Sequence, residues 1–301
     1  MKRVLWAAVM AFGLTSAGGA TEMAVTVDDL PTHGALPRGM QRLVIAEQMI
    51  TALTRNGVPE VAGFVNGGQL RDAPEHAEIV KVWLRAGLQV GNHTYSHLDL
   101  NSVPAEEYIA DIERNEALLT ALAGPTWPRV FRYPYLQEGD TLQKRDAVRR
   151  WLAGRGYAIA QVTVHTDDWI WNDAYVRCLT QSDQSSVEWL KRSFLDVAMQ
   201  RLEWSQATSH AVFGRDIKHI LLLHIGAFDA AVLDALIGAY RRTGVRMVGL
   251  KAAMADPVYA LDPGVVGKRE LPFPLQVARA RGVSVPPEPG IPREKLETLC
   301  R

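Results

Sequence analysis

From Met23 onward, seven short apolar runs alternate with longer stretches of helical periodicity, and that alternation admits only one class of fold. The runs cover residues 23–27, 61–65, 88–91, 129–133, 157–164, 220–224 and 245–250. Each is short, rich in β-branched or aromatic residues and bounded by turn formers, the pattern of strands buried on both faces of a parallel sheet. Between them the spacing predicts helices over 43–53, 77–84, 108–122 and 230–240. These stop at Asn56-Gly57, Gly87, Gly124 and near Gly244, each a C-terminal stop signal. Strands alternating with helices mean an α/β chain whose parallel sheet is either doubly wound or closed into a barrel.

Composition adds exclusions. The chain has 301 residues, 48% of them hydrophobic, with 33 basic against 33 acidic side chains and two cysteines. Disorder and disulfide-dense mini-scaffolds are excluded. A formal charge of zero leaves no basic excess to neutralise phosphates, so no nucleic-acid partner is expected. The first twenty residues stand apart. Lys2 and Arg3 precede an apolar run over 4–14, and small residues fill 15–20, so 1–20 reads as a signal peptide directing a secreted or periplasmic protein. No other run approaches ~20 apolar residues, so no transmembrane anchor is expected after cleavage. Cys178 and Cys300 could pair in an oxidising compartment, although spacing alone does not bring them together.

Two segments break the rhythm of a domain spanning 21–256. Residues 177–213 form an apparent insertion. It opens with Ser185-Ser186-Val187-Glu188, a capping-box spacing, and carries Leu190, Phe194 and Val197 at helical intervals. Beyond Pro257 the chain turns Pro- and Gly-rich, so 257–301 reads as a tail that wraps the surface.

In a parallel α/β barrel, chemistry collects where the strands end. The first run ends in Asp28-Asp29 and the third in Asn92-His93-Thr94-Tyr95-Ser96-His97. The fourth ends in Arg132-Tyr133-Pro134-Tyr135, the fifth in His165-Thr166-Asp167-Asp168-Trp169, and the sixth in Leu222-Leu223-His224. His93 and His97 have the spacing that puts two imidazoles on one face of a helical turn, able to hold a divalent ion. One carboxylate of the Asp pair would complete a three-ligand catalytic set, leaving the other free to take a proton from the attacking water. Arg132 could offset the repulsion of two adjacent carboxylates. Alone, each feature has a plainer reading: a helix cap for Asp28-Asp29, a core histidine for His224. Across a metal site, His224 becomes a general acid for a leaving amine.

These five strand ends resemble, in order, the motifs of the polysaccharide deacetylases of the NodB-homology type, carbohydrate esterase family four. Thr26-Val27-Asp28-Asp29, His93-Thr94-Tyr95-Ser96-His97, Arg132-Tyr133-Pro134-Tyr135, Asp168-Trp169 and Leu222-Leu223-His224 carry the likeness. The resemblance implies a distorted (β/α)7 barrel that removes acetyl groups, from nitrogen in preference to oxygen, from a glycan such as peptidoglycan, a chitin-like oligosaccharide or an exopolysaccharide. It also implies roles. Asp29, His93 and His97 would bind the metal, zinc or else cobalt or nickel. Asp28 would be the base, oriented by Arg132, which Asp168 would orient in turn. The Tyr135 backbone N–H would stabilise the oxyanion, His224 would protonate the amine, and Leu222 and Trp169 would line the acetyl pocket. The chain departs from the family where Gly-Pro commonly follows the paired Asp. Here Leu30-Pro31 follows, with His33 close behind; His165 replaces an Asp, and Ile225-Gly226 follows His224. The alternatives are a same-fold hydrolase of a small non-sugar amide and a catalytically silent glycan binder.

Overall fold

The computed structural model describes residues 20–301. Apart from Ala20, the expected signal peptide lies outside the described residues. The strands are β1 (Glu22–Leu30), β2 (Ala62–Val65), β3 (Gln89–Asn92), β4 (Val130–Phe131), β5 (Ala158–Ile159), β6 (His219–His224) and β7 (Arg246–Met247). All seven pair in parallel, six in the order β5-β4-β3-β2-β1-β6 and β7 on β1. Along one edge of β1, β6 runs from Met23 to Asp28. Along the other, β7 pairs with Glu22 and Met23 before β2 takes over at Thr26.

The sheet curls because the chain following β5 reaches the opposite edge. Ala158 and Ile159 pair with β4, and five residues later Val164 forms a parallel bridge with Leu221 of β6. Residues 158–164 thus join the two ends of the wall, which gives the distorted barrel that the family resemblance implied.

Helices cover the outside: α1 (Arg42–Arg55), α2 (Pro74–Arg85), α3 (Ala105–Ala123), α4 (Leu142–Gly154), α5 (Asp168–Thr180), α6 (Gln184–Phe213), α7 (Ala227–Arg242) and α8 (Leu250–Met254). The four expected helices are present, each a residue or more longer at both ends. The sequence of α4 shows no clear stripe: its buried residues are Arg145, Val148 and Leu152, and the rest is mostly charged. β1 is buried from Met23 to Leu30, as befits a strand covered on both faces. Trp83, Trp171, Phe194, Phe228 and Tyr240 are fully enclosed between sheet and helices. Inside the barrel, Gly91 is required by packing, since a Cβ there would lie 2.5 Å from the ring of Phe64. That ring in turn lies 4.6 Å beneath the guanidinium of Arg132.

The segment read as an insertion contains the end of α5 and the 30-residue α6. The cap of α6 differs from the expected one. Asp183, not Ser185, is the N-cap, and its carboxylate accepts from the Ser186 N–H at 3.0 Å and from both serine hydroxyls at 2.7 Å. An Asp at that position satisfies the first-turn donors that the expected Ser185–Glu188 box would have served. The tail carries two further helices, α9 (Phe273–Arg281) and α10 (Arg293–Thr298). Phe273, Val277 and Ala278 of α9 form a small apolar cluster with Val212, Ile217 and Val258. Cys178 of α5 and Cys300 are joined in a disulfide. Beside it, Arg177 donates to the carbonyls of Leu296 and Leu299. Among the described residues, no helix is long and apolar enough to cross a membrane.

Candidate active site

The strand ends converge on one cavity of about 390 Å³, lined by Asp28, Asp29, His33, His93, His97, Tyr135, His165, Asp167, Asp168, Trp169, Leu222, His224 and Glu270 among others. Of the ten residues singled out in the sequence, nine line it. The tenth, Arg132, lies in the barrel interior beneath it, 1% exposed.

Two consecutive strand residues ordinarily point to opposite faces. Asp28 and Asp29 both reach the cavity because the register between β1 and β2 shifts between Val27 and Leu30, and Asp29 adopts a left-handed φ of 63°. This is a β-bulge at the end of a strand, a device that re-aims side chains. Asp28 is buried, with both carboxylate oxygens 3.2 Å from Nη1 of Arg132. The guanidinium is itself fixed, Nε donating to the Ala160 carbonyl at 2.6 Å and Nη2 to the Thr26 hydroxyl at 3.1 Å. Burial lowers the affinity of Arg132 for its proton, and the Asp28 charge works against that loss.

His93 and His97 do not share a helical turn, contrary to the reading of their spacing. They lie on an irregular loop in which Thr94 and His97 have φ values of 62° and 53°. Buried amides and carboxylates impose that shape. Asn92 accepts the Thr94 N–H at 2.9 Å, Asn66 donates to the His93 carbonyl at 2.6 Å, and Asp111 accepts from the Ser96 N–H and hydroxyl. Asn115 ties Asn92 to the β2 carbonyl of Val65. The two histidines still converge: their Nε2 atoms lie 3.4 and 3.3 Å from Oδ1 of Asp29.

This trio fits a divalent ion. Oδ1 of Asp29 is buried without a hydrogen-bond partner, an arrangement that is costly unless something occupies the position. Nδ1 of His93 is 2.8 Å from the Arg132 carbonyl, which makes Nδ1 the donor and leaves Nε2 as the atom that faces Asp29. Burial and the nearby His93 lower the pKa of His97 to about 4, so the His97 ring is neutral. Burial raises the pKa of Asp29, but His33 and His93, with help from His97, outweigh it and hold the carboxyl well below its usual range. Tetrahedral zinc with bonds of about 2.0–2.1 Å sets its ligand atoms roughly 3.3–3.4 Å apart, close to the separations found here. Among the described residues a second set, Asp29, His33 and His224, also brings three ligand atoms together.

Asp168 makes no contact with Arg132, whose donors are spent on Asp28, Thr26 and Ala160. It belongs instead to His224: Oδ1 is 2.8 Å from Nδ1, and Oδ2 accepts the His224 backbone N–H at 2.6 Å. The cause is topological, because the Val164–Leu221 bridge brings the start of α5 beside the end of β6 rather than beside β4. Burial lowers the pKa of His224, but the Asp168 carboxylate overcomes this and raises it to about 10. Burial raises that of Asp168, and His224 overcomes it, bringing the pKa down to about 2. Asp229, in the first turn of α7, was not anticipated. It is buried, and burial together with the Asp168 charge raises its pKa well above the usual range.

Trp169 is 44% exposed at the mouth while Leu222 is buried in the floor. Tyr135 has a left-handed φ of 56°, and its ring packs 4.5 Å from that of His97. The tail reaches this rim. His165 lies 3.7 Å from Glu270 and 3.0 Å from Glu288, and Arg201 of α6 pairs with Asp167 and with Glu288. Neither Glu270 nor Glu288 carries a motif or a strand-end position, so no local signal marked them.

Residues 16–150 match the family model described as polysaccharide deacetylase. Over that segment, just under half of its length, the chain is similar to polysaccharide deacetylases. Among curated relatives, a peptidoglycan-N-acetylglucosamine deacetylase of Bacillus cereus is 29% identical over 164 residues, 54% of this chain and 52% of that protein. A chitin deacetylase of Colletotrichum lindemuthianum is 27% identical over 154 residues, 49% of this chain and 52% of that one. The chain spans about half the length, or less, of the curated relatives it matches. Solved structures share the fold. A family 4 carbohydrate esterase of Streptomyces lividans superposes with a TM-score of 0.51 at 20% identity, over 79% of this chain and 97% of that one. A pseudoenzyme of the same esterase family from Bacillus anthracis superposes at 0.55 with 16% identity, over 78% and 66%.

Proposed function

We propose that this protein is a metal-dependent hydrolase that removes acetyl groups, from nitrogen in preference to oxygen, from an acetylated glycan. One observation carries the reading. A single cavity gathers a three-ligand set with an orphaned carboxylate oxygen, a carboxylate clamped by arginine and an imidazole held protonated by a second carboxylate.

Asp29, His93 and His97 would hold the ion, zinc by its donor set, with cobalt or nickel as substitutes. Bound there, it would supply Lewis acidity that polarises the acyl carbonyl and makes water acidic enough to attack near neutral pH. The remaining work falls to the side chains. Asp28, oriented by Arg132, takes the proton from the attacking water. The Tyr135 backbone N–H donates to the carbonyl oxygen as it gains charge, a contribution of about 3 kcal/mol by comparison with other hydrolases. An amine leaves poorly until it is protonated. His224 delivers that proton from Nε2 while Asp168 keeps Nδ1 engaged. The acetyl methyl rests against Leu222 and Trp169. Acetate and a free amine are the products.

The names of the curated relatives support a glycan substrate, with peptidoglycan, a chitin-like oligosaccharide and an exopolysaccharide as candidates. The expected leader over 1–20 and the Cys178–Cys300 disulfide support export to an oxidising compartment. In this reading 21–256 is the catalytic unit and 257–301 an accessory tail.

The test is acetate release from a panel of acetylated glycans by metal-stripped protein, with and without added zinc. Zinc-dependent release from one of them is expected. Release from a small acetylated amine but from no glycan would move the substrate to the non-sugar amide alternative. No release from any substrate by zinc-loaded protein would make the chain a silent binder.

A further inference from the structure

We propose that His33 is a positioning residue for the metal-ligating carboxylate, fixing Asp29 so that Oδ1 faces His93 and His97. The proposal rests on the metal reading above and concerns a residue outside its ligand set.

The two oxygens of Asp29 have separate surroundings. Oδ2 lies 2.7 Å from Nδ1 of His33, whereas Oδ1 accepts no hydrogen bond and lies 3.4 and 3.3 Å from the other two imidazoles. The terminal torsion of an Asp is broad and nearly two-fold, so nothing within the residue decides which oxygen faces the histidines. A donor on one oxygen decides it. Hydrogen bonds of this kind to ligating groups hold the ligand in the geometry the ion requires.

His33 is built to serve as a fixed donor. Its backbone N–H donates to the Ile225 carbonyl at 3.2 Å, tying the loop after β1 to the end of β6. Its carbonyl accepts from Nη1 of Arg42 at 2.9 Å, and Nη2 of the same guanidinium reaches the Gly34 carbonyl at 2.7 Å. Gly34 has a φ of 66°, and a Cβ there would stand 2.7 Å from the Asn172 amide, so only glycine allows the turn. The ring packs 4.5 Å from that of His224. Ring, main chain and turn therefore agree on one placement, and the donor meets the carboxylate four residues upstream.

Three variants separate the donor from the ring. His33→Asn keeps an N–H at the same reach without the stacking surface. His33→Phe keeps a stacking ring without the donor, and His33→Ala removes both. Zinc affinity is read by competition with a chromophoric chelator, alongside the melting temperature of each metal-free protein. The expected result is zinc binding about 10–100-fold weaker in the Phe and Ala variants and near wild type in the Asn variant. Wild-type affinity in both Phe and Ala would overturn the role, as would an Asn variant as weak as Ala with an unchanged melting temperature. A wild-type stoichiometry of two that falls to one in the Ala variant would make His33 a ligand and overturn it as well. Wild-type protein that takes up no zinc would overturn the metal reading itself, a result distinct from the others.

Discussion

Nδ1 of His224 lies 2.8 Å from Oδ1 of Asp168, while the other oxygen of that carboxylate holds the His224 main chain at 2.6 Å. One side chain thus sets both the orientation of the imidazole and its charge. With a pKa of about 10, His224 remains protonated at neutral pH and loses its proton only as the pH rises through that value. A step that needs the protonated ring therefore fails on the alkaline side. Asp168→Asn removes the charge that raises the pKa and leaves the burial that lowers it, so the alkaline limb of kcat/KM should move to lower pH by at least about one unit. A pH profile on an acetylated substrate reads this; an unmoved limb would assign the limb to another group.

Asp28→Asn preserves the shape of the residue clamped by Arg132 but cannot accept the proton. Turnover should fall by about 10²–10⁴-fold, the usual worth of a general base, with zinc content unchanged. Metal analysis beside the rate decides it: loss of zinc would mean that Asp28 and Asp29 exchange roles.

Arg132→Met leaves the Asp28 charge buried without its partner. Breaking a buried pair from one side costs about 3–5 kcal/mol, so the denaturation midpoint should drop sharply. Arg132→Met combined with Asp28→Asn should recover much of that loss, since no uncompensated charge remains. Additive losses in the double-mutant cycle would show that the pair is not coupled.

Cys178→Ala with Cys300→Ala opens a loop of 122 residues. Loops of that length predict a loss of about 2–5 kcal/mol in unfolding free energy, measured by urea titration. No loss would mean that the Arg177 bonds to the last helix carry the attachment alone.

The strands and four of the helices were legible because burial on both faces leaves little choice of residue and because glycines mark the helix ends. So were the strand-end side chains, since a barrel rim is fixed by topology. What was not legible depends on contacts distant in sequence. Asp168 turned from Arg132 to His224 because the segment after β5 crosses to β6, a closure that no local pattern records. Glu270 and Glu288 reach the rim from a tail whose composition suggested only a surface wrap. The loop of His93 and His97 is shaped by Asn66, Asn115 and Asp111, three ordinary polar residues on other elements. Asp183 outranked Ser185 as a cap by two positions, within the range over which neighbouring polar side chains compete for the same N–H groups.

The wall of the barrel is uneven. β1 and β6 are zipped from Met23 to Asp28, whereas the join between the segment after β5 and β6 is short, with main-chain N–H groups of Thr163 and Val164 donating to the Ile220 carbonyl and that of Leu222 to the Val164 carbonyl, immediately before His165, Asp167 and Asp168. Amide hydrogens of Thr163 and Val164 should therefore exchange with solvent before those of β1, because fewer main-chain bonds hold that join than hold β1 to β6. The residues that hold His224 and meet the tail stand on the hinge side of that seam. The pocket has one jaw built on the long β1 ladder and one built on a short join.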